Sequence, residues 1–324
     1  MGSFLQTLSQ IPNSLYQCFK QSYPPKPKWS IDSIPDLTGR VVLVTGGNTG
    51  IGKATVHALL RRDATVYMAC RDEAKARQAI EDLKASTGKE AIFLKLDLSD
   101  QSSIRAAAAE FLAKETQLHV LFNNAGVMIP PLDQVDNRGY DIQFSTNVIG
   151  HFLLTELLVP ALTRGAATSP DKKARVVHTS SIAIWYPGTI LDLATLQDGA
   201  PRRRRTIQWL YAQSKLGNVL ISFEMARRYA DKDIISVSLN PGNIDSDLFR
   251  HRPFFHTVCK PFLHSPAMGA LSQLWAGTAP EAVDCNGKFL IPWIRFSDTT
   301  SAAQDAQSAA ELWRWLEDHT SVSA

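Results

Sequence analysis

Tyr211 and Lys215 stand four residues apart in a segment whose apolar residues Leu216, Val219, Leu220 and Phe223 follow helical spacing, so both side chains share one helix face. A phenol ordinarily releases its proton at about pH 10, too high for general acid–base work at neutral pH. An ammonium beside it favours the phenolate and makes the proton exchangeable. By itself Y-x-x-x-K is a frequent accident, an exposed tyrosine next to a lysine; its weight comes from its place in the chain, after a fifth β-branched run that ends in Ser180-Ser181, about 30 residues earlier.

A second signal lies near the start. Val41-Val42-Leu43-Val44 runs directly into Thr45-Gly46-Gly47-Asn48-Thr49-Gly50-Ile51-Gly52, and Lys53 to Arg62 then has helical character. In a strand–glycine turn–helix unit, glycines let backbone amides approach a pyrophosphate, whose charge the positive end of the helix stabilises. Glycines in an isolated turn would mean only backbone freedom.

The elements that must position these residues follow one rhythm. Short β-branched runs at Val41 to Thr45, Thr65 to Cys70, Ile92 to Asp97, Val120 to Asn123, Arg175 to Thr179, Ile235 to Asn240 and Lys288 to Ile291 alternate with longer segments of helical period. Such alternation predicts an α/β fold, a single Rossmann-type doubly wound parallel sheet of about seven strands with helices on both faces. Residues 1–36 read as an N-terminal extension with a Pro-rich linker, Tyr23 to Lys28, and 37–324 as one catalytic domain with a substrate lid at about 245–268. Phe4, Leu5, Leu8, Ile11, Leu15 and Phe19 suit a short amphipathic helix that packs on the body, with a membrane surface as the alternative.

The spacing of Gly46, Gly50 and Gly52, T-G-x-x-x-G-x-G, resembles the short-chain dehydrogenase/reductase family, and the resemblance extends over nearly everything from Leu37 onward. "TGGNTGIGK", "VYMACRD", "NNAGVM", "YAQSKLGN" and "NPGN" are most similar to its retinol-dehydrogenase-type members and their fungal relatives. The resemblance implies a turn of Gly46, Asn48, Thr49, Gly50, Ile51 and Gly52 around a dinucleotide, Asp97 and Leu98 beside the adenine, and Asn124, Ala125 and Gly126 after the fourth strand. Pro241, Gly242, Ile244 and Ser246 would contact the nicotinamide carboxamide. It also implies that Lys215 hydrogen-bonds the nicotinamide ribose, that Ser181 orients the substrate with Ser180 as the one-residue alternative, and that Asn147, at a helix irregularity, holds a water that links the lysine to solvent. For the serines, the plain reading is a hydroxyl satisfying backbone groups at a strand end; for Asn147, a buried structural amide. His151 reads as a packed histidine.

About 20 residues past the glycines an acidic residue would hold the ribose hydroxyls and select NAD. Cys70-Arg71-Asp72 stands there instead, and the Arg71 guanidinium can bind a 2′-phosphate, so the expected cofactor is NADP(H). A surface Arg71–Asp72 pair is the bland reading. The expected activity is hydride transfer between the nicotinamide and a carbonyl or alcohol carbon, a ketone or aldehyde reductase, and the fungal likeness suggests secondary metabolism. The alternatives are an alcohol dehydrogenase working oxidatively and a non-catalytic NADP-sensing regulator.

Composition bounds the rest. With 324 residues and 44% apolar content, the chain can bury a large core. A formal charge of +3, dispersed except for Arg202 to Arg205, argues against nucleic-acid binding, and that run reads as a solvated loop or, alternatively, an anion patch. Cys18, Cys70, Cys259 and Cys285 lack zinc-site or disulfide-scaffold spacing, so no metal is expected and a reducing, cytoplasmic location is. No stretch approaches the roughly 20 apolar residues of a transmembrane span. The expected partner is a small-molecule carbonyl or alcohol, with a homo-oligomer left open; Trp185, Tyr186 and Trp209 flank the active-site loop and could stack on a flat ring.

Overall fold

A computed structural model describes residues 13–246, 260 and 263–321. The residues Phe4, Leu5, Leu8 and Ile11, most of the segment read as a lid, and the lid residues Phe249, Phe254, Phe255 and Phe262 lie outside the described residues.

All side chains of β1 (Val41–Thr45) are buried, as in a strand covered on both faces. Pleating sends Val42 and Val44 into one core and Val41 and Leu43 into the other. The strands that follow are β2 (Thr65–Cys70), β3 (Ile92–Lys95), β4 (Val120–Asn123), β5 (Ala174–Thr179), β6 (Ile234–Leu239), β7 (Phe289–Ile291) and β8 (Arg295–Phe296). Their order across the sheet is β3-β2-β1-β4-β5-β6-β7-β8, parallel throughout except for β8, which runs antiparallel to β7. An eighth strand is thus added to the seven expected; at two residues it carries no readable alternation. The third strand is shorter than its β-branched run: it stops at Lys95, and Leu96 and Asp97 leave the sheet toward the cleft.

The main helices are α1 (Asn13–Ser22), α2 (Gly50–Leu60), α3 (Glu73–Thr87), α4 (Gln101–Lys114), α5 (Ile142–Thr168), α6 (Ile207–Arg228), α7 (Pro266–Thr278) and α8 (Ala306–Thr320). Residues of α2, α3 and α7 pack on one side of the sheet, those of α4, α5, α6 and α8 on the other. Side-chain caps set several starts, with Asp72, Asp100 and Thr206 accepting from backbone amides of the first turns of α3, α4 and α6, and Gly88 in the left-handed region ends α3. Helix α5 has the length and hydropathy of a membrane span, yet 67% of its apolar window is buried in the body, with Phe152, Leu153 and Leu158 in the core.

Strand order reverses between β1 and β4, which opens a crevice at the carboxyl ends of the strands.

Two surface expectations change. Arg202 is not part of a solvated loop: it is buried, its guanidinium 2.8 Å from the buried Asp141 carboxylate and donating to the Gln134 carbonyl at 3.1 Å. Arg203 pairs with Asp198 at 2.7 Å, and Arg205 with Asp192 at 2.9 Å. The sequence shows four cations in a row, but carboxylates brought from elsewhere by the fold neutralise three of them. In α1 the expected packing is inverted, since Gln17 and Gln21 are buried while Leu15 and Phe19 face solvent. Gln21 Oε1 accepts from Asn240 Nδ2 at 2.8 Å, so a polar contact, not an apolar one, docks this helix.

Candidate active site

The crevice is a cavity of about 920 Å³, and its walls come from the carboxyl ends of several strands. At one end the glycine turn leaves β1. Gly46 and Gly50 have φ of +67° and +52°, and a Cβ on Gly52 would lie 2.1 Å from the Gly46 carbonyl oxygen, so a side chain there would break the turn. Thr45 Oγ1 accepts from the Asn124 and Ala125 amides, each at 3.0 Å, and Asn124 Nδ2 donates to the Thr45 carbonyl at 2.9 Å. These bonds clamp the segment after β4 against the turn. Asn48, Thr49, Gly50, Ile51 and Gly52 line the cavity, at the positive N-terminus of α2.

The strand-end residue Cys70 is buried, and its thiol contacts Asn48 Oδ1 at 3.3 Å; burial pushes it up to about 11, so it is no nucleophile. Arg71 lines the cavity with its side chain largely exposed, Nε 3.9 Å from the Asp97 carboxylate. Asp72 is not its partner: that carboxylate caps α3 and pairs with Lys75 at 3.6 Å. Lys75 also lines the cavity and was missed in the sequence. One signal could have found it, namely that it lies four residues after Arg71 at the start of a helix. Asp97 accepts from the Ser99 amide and hydroxyl, and Leu98 lies beside it on the same wall.

At the other end Tyr211 and Lys215 project from α6. Ser181 lies in the same wall as the Tyr211 phenol. Ser180 lies in the wall too, but its hydroxyl donates to the Lys215 carbonyl at 2.7 Å. The Ser180 hydroxyl is thus engaged by backbone, whereas Ser181 Oγ accepts from the Ala183 amide at 3.1 Å. Lys215 Nζ donates to the Thr179 carbonyl at 2.9 Å and stands 5.9 Å from the Tyr211 ring centroid. Burial pushes the phenol up to about 12, against a smaller downward pull from the Ser181 side chain, and pushes the Lys215 amine down to about 8.

Asn147 does not line the cavity. It sits behind Gly126, in a π-helical turn, Ser145–Ile149, that interrupts the first part of α5. Its Oδ1 accepts from the Val127 amide at 2.8 Å, and its Nδ2 donates to the Val127 carbonyl and to Ser214 Oγ, both at 3.0 Å. A Cβ on Gly126 would lie 3.3 Å from Asn147 Oδ1 and 3.5 Å from Lys215 Nζ, so this stretch of backbone runs close to both side chains. His151, one turn on, is buried between Thr45 Oγ1 and the Asn147 carbonyl; burial pushes it down to about 4, and the ring is neutral.

Pro241, Gly242, Ile244 and Ser246 also line the wall. Gly242 has φ of +93°, and a side chain there would crowd Pro292 and Trp293. Of the three loop aromatics only Tyr186 reaches the cavity; Trp209 is buried and donates to the Gly188 carbonyl at 2.9 Å. Gln208, not singled out in the sequence, lies in the same wall.

Comparison with known proteins agrees with this architecture. Residues 40–191 match the family model described as short chain dehydrogenase. A short-chain dehydrogenase/reductase of Armillaria gallica is 55% identical over 93% of this chain and 97% of its own length, and retinol dehydrogenase 12 of Mus musculus is 36% identical over 86% and 85%. An uncharacterized protein from Mycobacterium paratuberculosis superposes with a TM-score of 0.72 at 32% identity, over 91% of this chain and 98% of that one. The chain belongs to the short-chain dehydrogenase/reductase family, oxidoreductases that use a nicotinamide cofactor.

Proposed function

We propose that the protein is an NADP(H)-dependent ketone or aldehyde reductase. The observation that carries this reading is the Tyr211 phenol, on one cavity wall with Ser181 and Lys215, in a crevice whose far end is the glycine turn. The residues fit a phosphorylated dinucleotide: amides at the start of α2 suit the pyrophosphate, and Arg71 and Lys75 offer cations to a 2′-phosphate where an acidic residue would repel it.

When bound, NADPH supplies the hydride to the carbonyl carbon. Tyr211 donates its proton to the carbonyl oxygen as that oxygen gains charge. Ser181 donates a hydrogen bond to the same oxygen, so two protein donors stabilise the developing alkoxide. Lys215, protonated near neutrality, offsets the negative charge left on the phenol. Asn147 fixes the Val127 backbone beside Lys215 and stands where a proton path to solvent would pass. In the reverse direction the same groups accept the proton of an alcohol.

Incubation with NADPH carrying deuterium at the transferable position, together with a panel of ketones and aldehydes, tests the reading. Deuterium is expected on the carbinol carbon of a product alcohol. Binding of NADPH without label in any product would overturn it.

A further inference from the structure

Helix α1 carries its polar residues inward and its apolar ones outward. On the inner side, Gln21 accepts from Asn240 and Ser22 Oγ accepts from Asn243 Nδ2 at 3.0 Å, while the Lys20 carbonyl accepts from Arg295. On the outer side, Leu15, Tyr16, Phe19 and Tyr23 are 59%, 44%, 68% and 61% exposed, and helical spacing gathers them into one stripe. The Phe19 and Tyr23 rings lie 5.2 Å apart. Across a groove lined by Gln17, Lys20 and Asp298, Phe296 extends the patch at 51% exposure, with Lys288 Nζ 5.0 Å over its ring. A stripe of this kind gains nothing from water and is not explained by packing among the described residues.

Its charge surroundings are mainly basic, with Asp298 the acidic side chain in the groove. Lys20, Lys26 and Lys28 are the charged side chains between Met1 and Ile31, and none in that stretch is acidic. Aromatic rings beside lysines match the boundary of an anionic bilayer, where rings sit at headgroup level and each nearby cation adds about 1 kcal/mol of attraction. We infer that the outer face of α1 docks this protein on an anionic phospholipid membrane, lying at the surface rather than spanning it. The docked helix is bonded through Asn240 and Asn243 to the wall of the crevice, which brings the cavity close to the bilayer surface.

Flotation of the full chain with phosphatidylcholine vesicles, with and without about one third phosphatidylserine, tests the inference. The protein is expected to float with the anionic vesicles, less so as salt rises. Replacing both Tyr16 and Phe19 (Tyr16→Ser with Phe19→Ser) removes two rings from the interface and is expected to reduce vesicle-bound protein by about tenfold or more. The pair Lys26→Gln with Lys28→Gln should weaken binding and flatten its salt dependence. Circular dichroism and the thermal midpoint of each variant are expected to match wild type, since the substituted side chains face solvent. Three results would overturn the inference: wild type that stays unbound with both vesicle types, binding that survives the double aromatic substitution, or loss of a dimer on that substitution in sedimentation without lipid, which would make the stripe a contact between two copies.

Discussion

The two ends of the crevice work by opposite physics. At the glycine-turn end, Arg71 and Lys75 keep their charges in solvent, where an ion pair is worth little and salt screens it. At the catalytic end, Tyr211 and Lys215 are buried, and burial displaces both proton equilibria, the phenol up to about 12 and the amine down to about 8. On the proposed reading, cofactor choice would rest on accessible charges that a phosphate can meet cheaply, and proton transfer on groups that water does not level. If that contrast is right, substitutions at the catalytic end should alter rates and pH behaviour, and those at the other end should alter affinity and salt behaviour.

The largest effect is expected from Tyr211→Phe, which removes the proton donor and keeps the ring. Turnover with NADPH should fall by about 10²–10⁴-fold, the usual worth of a positioned general acid, while the dissociation constant for NADPH measured by fluorescence stays within about twofold. A variant with near-wild-type turnover would place the proton source elsewhere.

Next comes the acid response of the layer beneath the catalytic end. His178 is the β5 residue just before Thr179, and burial pushes it down to about 3, as it pushes His151 to about 4. Both rings are neutral in the folded protein, whereas the unfolded chain takes up their protons near the ordinary imidazole value of 6.5. The unfolded state therefore binds more protons below that pH, and stability present above it is lost as pH falls toward 4. Urea unfolding between pH 7 and pH 5 should show stability falling by about 1 kcal/mol per histidine for each pH unit well below 6.5. The variant His178→Asn should flatten the slope; an unchanged slope would mean that the ring is not held neutral.

At the opposite end Arg71→Ala should weaken NADP binding by about tenfold, the low end for a charge-assisted hydrogen bond because the side chain is exposed, and leave NAD binding unchanged. Equal losses for the two cofactors in calorimetric titration would remove the 2′-phosphate from the argument.

The same contrast explains what could be read from the sequence. Strands β1, β2 and β4 and the glycine turn are continuous stretches whose pattern is local, so chain order alone located them. The Tyr211–Lys215 pair was legible for the same reason, because four residues on a helix fix a shared face. Arg202 was misread because its partner Asp141 lies 61 residues away, and nothing near either shows that both are buried together. The outward stripe of α1 was misjudged for a like reason. Apolar spacing reports that a helix is two-sided, but Gln21 turns inward only because Asn240, from the far end of the chain, supplies its hydrogen bond. Ser181 and Ser180 are neighbours with the same chemistry, and the sequence does not show that the Lys215 carbonyl takes the Ser180 hydroxyl.

Lys75 gives the smallest and most discriminating effect. It is more exposed than Arg71, its nearest carboxylate is Asp72 at 3.6 Å, and that carboxylate already accepts from the Lys75 amide as the cap of α3. Neutralising the side chain (Lys75→Gln) therefore leaves the cap intact and should stabilise or destabilise the fold by no more than about 0.5 kcal/mol. NADP affinity should fall only about threefold at low salt, and the difference from wild type should vanish as ionic strength rises toward 1 M, where screening acts over about 3 Å. Turnover at saturating NADPH should not move at all. A loss that persists at high salt would mean a direct, desolvated contact with the phosphate, and the exposed end of the crevice would then share the physics of the buried one.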